Sequence, residues 1–172
     1  MIDATPYLPF RATRNTSDGH SERVYWEIAE AAHPDVPSWL EIVREVEPLF
    51  GPMPTFEITL ARNIARGTAL CVRDHEATVL GGVLIRPVPH SQISWLAVRK
   101  SARGRRIGHT LVADALSRYA SAAEVVVDTF GDDNQDGHAA RRLYESFGFQ
   151  AAEHLDRGPE GGTRQRFRLV RE

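Results

Sequence analysis

Apolar positions along this chain recur with two periods. Val24, Ile28 and Ala32 repeat every fourth residue and predict a helix over 22–32. Pro34 and Pro37 end it. Trp39, Leu40, Val43 and Val46 form one face of a second helix, closed by Gly51-Pro52-Met53-Pro54, and Phe56, Leu60 and Ile64 mark a third, stopped by Gly67. The pattern then shortens. Residues 69–73, 79–85 and 92–98 are apolar runs separated by Asp74-His75-Glu76 and Pro87-Val88-Pro89-His90, the form of a three-stranded antiparallel meander. Gly81-Gly82 inside the second run predicts a bulge or a close approach by another chain or ligand.

Helical spacing returns after residue 106. Ile107, Leu111 and Ala115 fall on one stripe with Val112, Leu116 and Tyr119, while Asp114, Ser117 and Arg118 lie off it. Glu124-Val125-Val126-Val127-Asp128-Thr129-Phe130 is a strand. Ala139, Leu143 and Phe147 share a helix face beside Ala140 and Tyr144, and Gly148 is a left-handed stop. Residues 150–155 and 165–170 predict a closing hairpin around Pro159–Gly162, with Phe167 and Leu169 inward and Arg166 and Arg168 outward. A first strand is expected near Tyr7–Ala12. This order implies an α/β class: a mixed, largely antiparallel sheet of six to seven strands flanked by helices. Residues 1–36 are expected to form a partly flexible N-terminal extension and 37–172 a single domain.

Composition narrows the function. The chain has 172 residues and a net charge of −2, which gives no basic surplus for nucleic acid. No run approaches the ~18 apolar residues of a membrane span. No secretory signal is expected, and the single cysteine, Cys71, lies in an apolar strand as an expected buried structural thiol; a reducing cytoplasm is the expected compartment.

The chemistry concentrates where residues 92–98 give way to the helix at Ile107. Arg103, Arg105 and Arg106 precede a first helical turn without an acid. Helix N-termini carry partial positive charge, so three arginines there are unfavourable unless an anion binds. No Walker lysine and no G-x-G-x-x-G is present.

The turn resembles motif A of the GNAT family of N-acetyltransferases, Q/R-x-x-G-x-G/A: Arg103 takes its first position, Gly108 its last, and Arg106 stands where the family usually has Gly. A left-handed backbone at Arg106 costs about 1–2 kcal/mol; a helical one costs nothing. The run Ala140-Arg141-Arg142-Leu143-Tyr144-Glu145-Ser146-Phe147-Gly148-Phe149 resembles motif B, A-x-x-L-Y-x-x-x-G-F. Together the motifs cover residues 93–149. The family usually has Asn three residues before that Ala; here Gly137 stands there, and Asn134, in a loop about three residues longer, is the nearest equivalent.

The resemblance implies acetyl transfer from acetyl-CoA to a primary amine of a small molecule or peptide. The same fold as a non-catalytic acyl-CoA sensor is the alternative. Cofactor contacts are expected at Leu96, Ala97, Val98, Arg103, Gly104, Arg105, Arg106, Ile107, Gly108, His109, Thr110 and Asn134, mainly through main-chain N–H. Tyr144 is the expected acid for the leaving thiolate. No acid stands in Gln92-Ile93-Ser94-Trp95, so Glu57, Asp128 or water is the base. Glu41, Glu45, Glu47 and Glu57, with Asp132 and Asp133, are either the solvated acids that surface helices ordinarily carry or a set that suits a cationic acceptor. A homodimer is allowed for; no metal is expected. Asp132, Asn134, Asp136 and Gly137 imitate part of a calcium loop, but its twelfth position is Leu143 and a strand precedes it. Asp136 is instead an expected helix cap.

Overall fold

The structure is a computed structural model and describes residues 11–15 and 21–171. A two-stranded ribbon, β1 (Arg11–Asn15) with β2 (Ser21–Tyr25), precedes a seven-stranded sheet. That sheet is built from β3 (Glu27–Glu30), β4 (Ala69–Arg73), β5 (Val79–Arg86), β6 (Gln92–Val98), β7 (Glu124–Phe130), β8 (Gln150–Leu155) and β9 (Arg164–Val170), in the order β3-β4-β5-β6-β7-β9-β8. All neighbours are antiparallel except β6 and β7. Four helices complete the fold: α1 (Val36–Phe50), α2 (Phe56–Ala65), α3 (Ile107–Arg118) and α4 (His138–Glu145). The sheet, the meander, the four later helices and the closing hairpin are as the sequence predicts.

The helix expected over 22–32 does not form. Strands β2 and β3 occupy that segment, and Trp26 and Ile28 face the same core cluster, a period of two. The sheet's first described strand is therefore β3, whereas Arg11–Asn15 pairs only with β2. Tyr7–Phe10 lie outside the described residues. Strand β3 precedes residue 37 yet pairs along β4, and Trp26 and Ala31 are buried in the core.

Alternation along β4 divides the interior in two. Leu70 and Val72 join α3 residues Ile107, Leu111 and Ala115 on one face. Ala69 and Cys71 join Trp39, Ile42 and Leu60 from α1 and α2 on the other. Gly81 and Gly82 sit between these layers. A Cβ on Gly81 would press against Ile107 at 3.0 Å, and one on Gly82 would overlap the indole of Trp39. The close approach expected at this pair is that of the protein's own helices; the register shifts along β5 lie opposite Val72/Arg73 and at Leu84/Ile85. Helix α3 is fastened at its far end. Tyr119 donates its hydroxyl to the carbonyls of Arg86 (2.6 Å) and Gln92 (2.9 Å). The Arg171 guanidinium donates to the carbonyls of Tyr119 and Leu116, where a helix end carries partial negative charge.

Candidate functional site: a crevice between two diverging strands

Strands β6 and β7 pair only at Gln92↔Val126 and Ile93↔Val127. Beyond those two rungs they diverge, and residues 94–98 have no ladder partner on the β7 side. A crevice opens where the carboxyl ends of the parallel pair separate, the place at which open α/β sheets bind ligands. Ser94 marks its start. Leu84 pairs with Trp95 and Ile85 with Ile93, so Ser94 is the extra residue of a bulge, its hydroxyl donating to the Leu84 carbonyl at 3.1 Å. A bulge ends regular pairing and re-aims the strand.

Two adjoining cavities fill the crevice. The inner, of about 260 Å³, is lined by Ser94, Trp95, Leu96, Asp128, Thr129 and Tyr144 among others. The outer, of about 450 Å³, runs past Ala97 and Val98 to the start of α3. Both touch Phe50, Leu96, Phe130 and Ala140, which makes one continuous groove. Aromatic rings wall its inner part. Trp95 stacks on Trp39 at 5.4 Å and meets Phe56 at 4.8 Å, and Phe50 meets Phe130 at 5.6 Å. Hydrophobic spacing marks these residues as core and gives no sign that they also border a crevice.

At the outer end the backbone turns sharply. Gly104 has φ +74° and Arg106 has φ 61°, ψ 13°, so the residue in the family's usual Gly place is left-handed. That conformation lets the chain enter α3 with Ile107, Gly108 and His109 as its first residues. Their N–H groups precede the first intrahelical bond, Thr110 N–H to the Arg106 carbonyl at 2.9 Å, and no described residue accepts from them. Amides at a helix start point along its axis, here into the groove. Gly108 keeps the floor low, since a Cβ there would meet Leu143 of α4 at 3.3 Å. His109 rests against Phe147, and burial, with the Arg106 charge second, holds its pKa below the usual histidine value. Arg103 donates to the Val98 carbonyl at 3.3 Å.

The structure gathers Leu96, Ala97, Val98, Arg103, Gly104, Arg106, Ile107, Gly108 and His109 on the outer groove. Arg105 is half-buried and lies outside that lining. Thr110 is buried, its hydroxyl donating to the Arg106 carbonyl at 2.9 Å. Asn134 turns inward on its own loop: its side-chain oxygen accepts from the N–H groups of Asp136 (3.0 Å) and Gly137 (3.3 Å). Asp136 lines the groove and does not cap α4, which follows Gly137 without a side-chain cap; Asn134 instead caps the short turn 135–137 that leads into it.

Tyr144 borders the inner cavity with its ring buried, and no described residue hydrogen-bonds its hydroxyl. Burial pushes the phenol's pKa above its ordinary value, so it keeps its proton at neutral pH. Asp128 lines the same cavity and accepts both nitrogens of a bidentate Arg166 at 2.7 and 2.8 Å, with Gln92 at 3.2 Å. Glu57 is exposed on α2 and lines neither cavity. Among the other acids expected near the acceptor, Glu41 pairs with Arg99 at 2.8 Å, Glu45 accepts the Lys100 N–H at 2.6 Å, and Asp133 accepts the Thr163 hydroxyl. Among the described residues no group of three His, Cys, Asp or Glu side chains is arranged to hold a metal, and no helix is long and apolar enough to cross a membrane.

No curated protein sequence matches the chain. Solved structures share its fold. A chain of the NatC complex bound to Gag peptide and CoA is 18% identical with a TM-score of 0.71, over 86% of this chain and 99% of that one. Ribosomal-protein-alanine N-acetyltransferase from Brucella melitensis is 19% identical with a TM-score of 0.67, over 84% and 99%. Phosphinothricin acetyltransferase from Sinorhizobium meliloti, in complex with AcCoA, is 17% identical with a TM-score of 0.65, over 84% and 88%. The family model for the acetyltransferase (GNAT) domain matches residues 66–151, from the end of α2 to the start of β8, and so takes in both motifs and the β6, α3, β7 and α4 sides of the crevice. The chain belongs to the GNAT acetyltransferase family.

Proposed function

We propose that the protein is an N-acetyltransferase that moves the acetyl group of acetyl-CoA to a primary amine of a small molecule or peptide. The observation that carries this reading is the groove itself. Unpartnered N–H groups at the start of α3 and an unpaired strand edge at 94–98 lie along one path that ends beside the Tyr144 side chain. The amides of Ile107, Gly108 and His109 suit a pyrophosphate. The β6 edge suits an extended amide-bearing arm, which it binds as a further strand.

The inner cavity then holds the thioester. A main-chain N–H of β6 beyond the Ser94 bulge donates to the carbonyl oxygen as negative charge develops there. The neutral amine forms the new C–N bond and loses a proton to water, which needs no dedicated carboxylate. As the C–S bond breaks, the Tyr144 hydroxyl hydrogen-bonds the departing sulfur and supports its protonation.

Two measurements test the proposal: thermal shift with acetyl-CoA, and thiol release against a panel of amines. Stabilisation by acetyl-CoA with amine-dependent thiol release is the expected result. Stabilisation without turnover of any amine supports the sensor reading, and absence of stabilisation removes both.

A further inference from the structure

Beyond the inner cavity lies a third, of about 410 Å³, which shares Ser94 and Trp95 with it. Its charged lining is positive only. Arg62 and Arg66 reach it from the end of α2, and Arg86 reaches it from the end of β5. No Asp or Glu lines it. Thr59, Arg62, Asn63 and Arg66 follow the i, i+3, i+4, i+7 spacing of one helix face, so α2 turns a polar stripe to this cavity.

Several arginines of the molecule are matched with carboxylates, and others, such as Arg103 and Arg171, with main-chain carbonyls. Arg73 meets Asp35 at 2.6 Å, Arg99 meets Glu41 at 2.8 Å, Arg164 meets Glu160 at 2.7 Å and Arg168 meets Glu124 at 2.9 Å. Among the described residues none of Arg62, Arg66 and Arg86 has such a partner. A helix C-terminus welcomes a cation, which accounts for one arginine on α2. It does not account for Arg86 converging on the same cavity from a separate strand. All three are exposed, so water screens their mutual repulsion, and an anion shared among them would still gain from all three.

We infer that this cavity recognises a carboxylate on the acceptor, so that the amine substrate is a small amino acid. The inference rests on the proposed acetyl transfer. The cavity's volume is in the range of small-molecule sites, about 300–1,000 Å³. Guanidinium forks bind carboxylates through paired N–H groups, and a carboxylate held by these arginines leaves the α-amine facing Ser94 and Trp95, beside the inner cavity. Diamines are repelled by the same charges. This argues against the cationic acceptor that Glu41, Glu45, Glu47 and Glu57 would suit.

The test uses the twenty L-amino acids, their primary amides and a set of diamines. Binding is followed by tryptophan fluorescence in the presence of CoA, since Trp95 borders the cavity, and turnover by thiol release with acetyl-CoA. At least one amino acid is expected to bind saturably, with its amide at least tenfold weaker in binding and in kcat/KM. R62Q, R66Q and R86Q each raise its KM with little change in kcat, the triple variant abolishes the preference over the amide, and the thermal shift with acetyl-CoA is unchanged in all of them. Amino-acid binding that is lost in the triple variant, without any turnover, upholds this site and overturns the transferase reading. Equal or better use of amides or diamines upholds the transferase reading and overturns this one. Absence of saturable amino-acid binding also overturns it.

Discussion

The indole of Trp39 occupies the space that a β-carbon on Gly82 would need. Trp39 is fully buried and stacks on Trp95, so the ring cannot swing away without disturbing the crevice wall. Gly82→Ala is therefore expected to destabilise the protein by about 1–3 kcal/mol, the cost of over-packing a filled core. Urea denaturation measures it; an unchanged midpoint contradicts the close contact of Gly82 with Trp39.

Arg106 supplies the opposite kind of test. Its φ of 61° is a conformation that glycine adopts without cost and β-branched residues resist. Arg106→Gly is expected to be at least about 1 kcal/mol more stable than Arg106→Val, a reversal of their helix propensities. Thermal unfolding of the two variants decides it. Equal stability means that the residue is not held left-handed in solution.

Both motifs, the meander and the closing hairpin were legible because each rests on local spacing. The segment 22–32 misled because an interval of four residues fits both a helical turn and two strand repeats. Val24, Ile28 and Ala32 satisfy either period, and the bulky Trp26 between them was the signal for a strand. The arginine cavity was illegible for a different reason. Arg62 and Arg66 resemble any solvated helix face, and Arg86 any strand end; only the packing of α2 beside β5 brings them to one cavity. Asn134 stands nearest the place where the second motif's family usually has its Asn, but position does not reveal that its oxygen is engaged by its own loop.

Tyr144→Phe removes the hydroxyl and leaves the ring that packs 5.7 Å from Phe149. Stability and the thermal shift with acetyl-CoA are expected to stay near wild type, while kcat falls on the order of 10- to 100-fold. Unchanged kcat against any accepted amine removes the phenol from the reaction.

Asp35 and Arg73 make a bidentate pair at 2.6 and 2.9 Å, and the Ala32 N–H adds a third bond at 2.7 Å. Burial opposes the charge on Asp35, but these donors outweigh it and hold its pKa below the ordinary carboxylate value. The stabilisation is complete above the unfolded pKa, near 4, and is lost as pH falls through the lower folded value. Asp35→Asn is thus expected to cost about 3 kcal/mol at pH 7, with the gap to wild type narrowing below pH 4. Denaturation curves across that range measure it; a gap independent of pH rejects the ion pair as its source.

The two-rung seam between β6 and β7 also bears on how the molecule is made. Every strand pairing from β3 to β6 is complete once residue 98 has been added, and β7, β9 and β8 pair among themselves apart from that seam. As the chain leaves the ribosome, the first panel of the sheet has all its internal partners before the second has been synthesised. The ligand groove belongs to neither panel alone. It exists only where the two panels meet, across their two-rung seam.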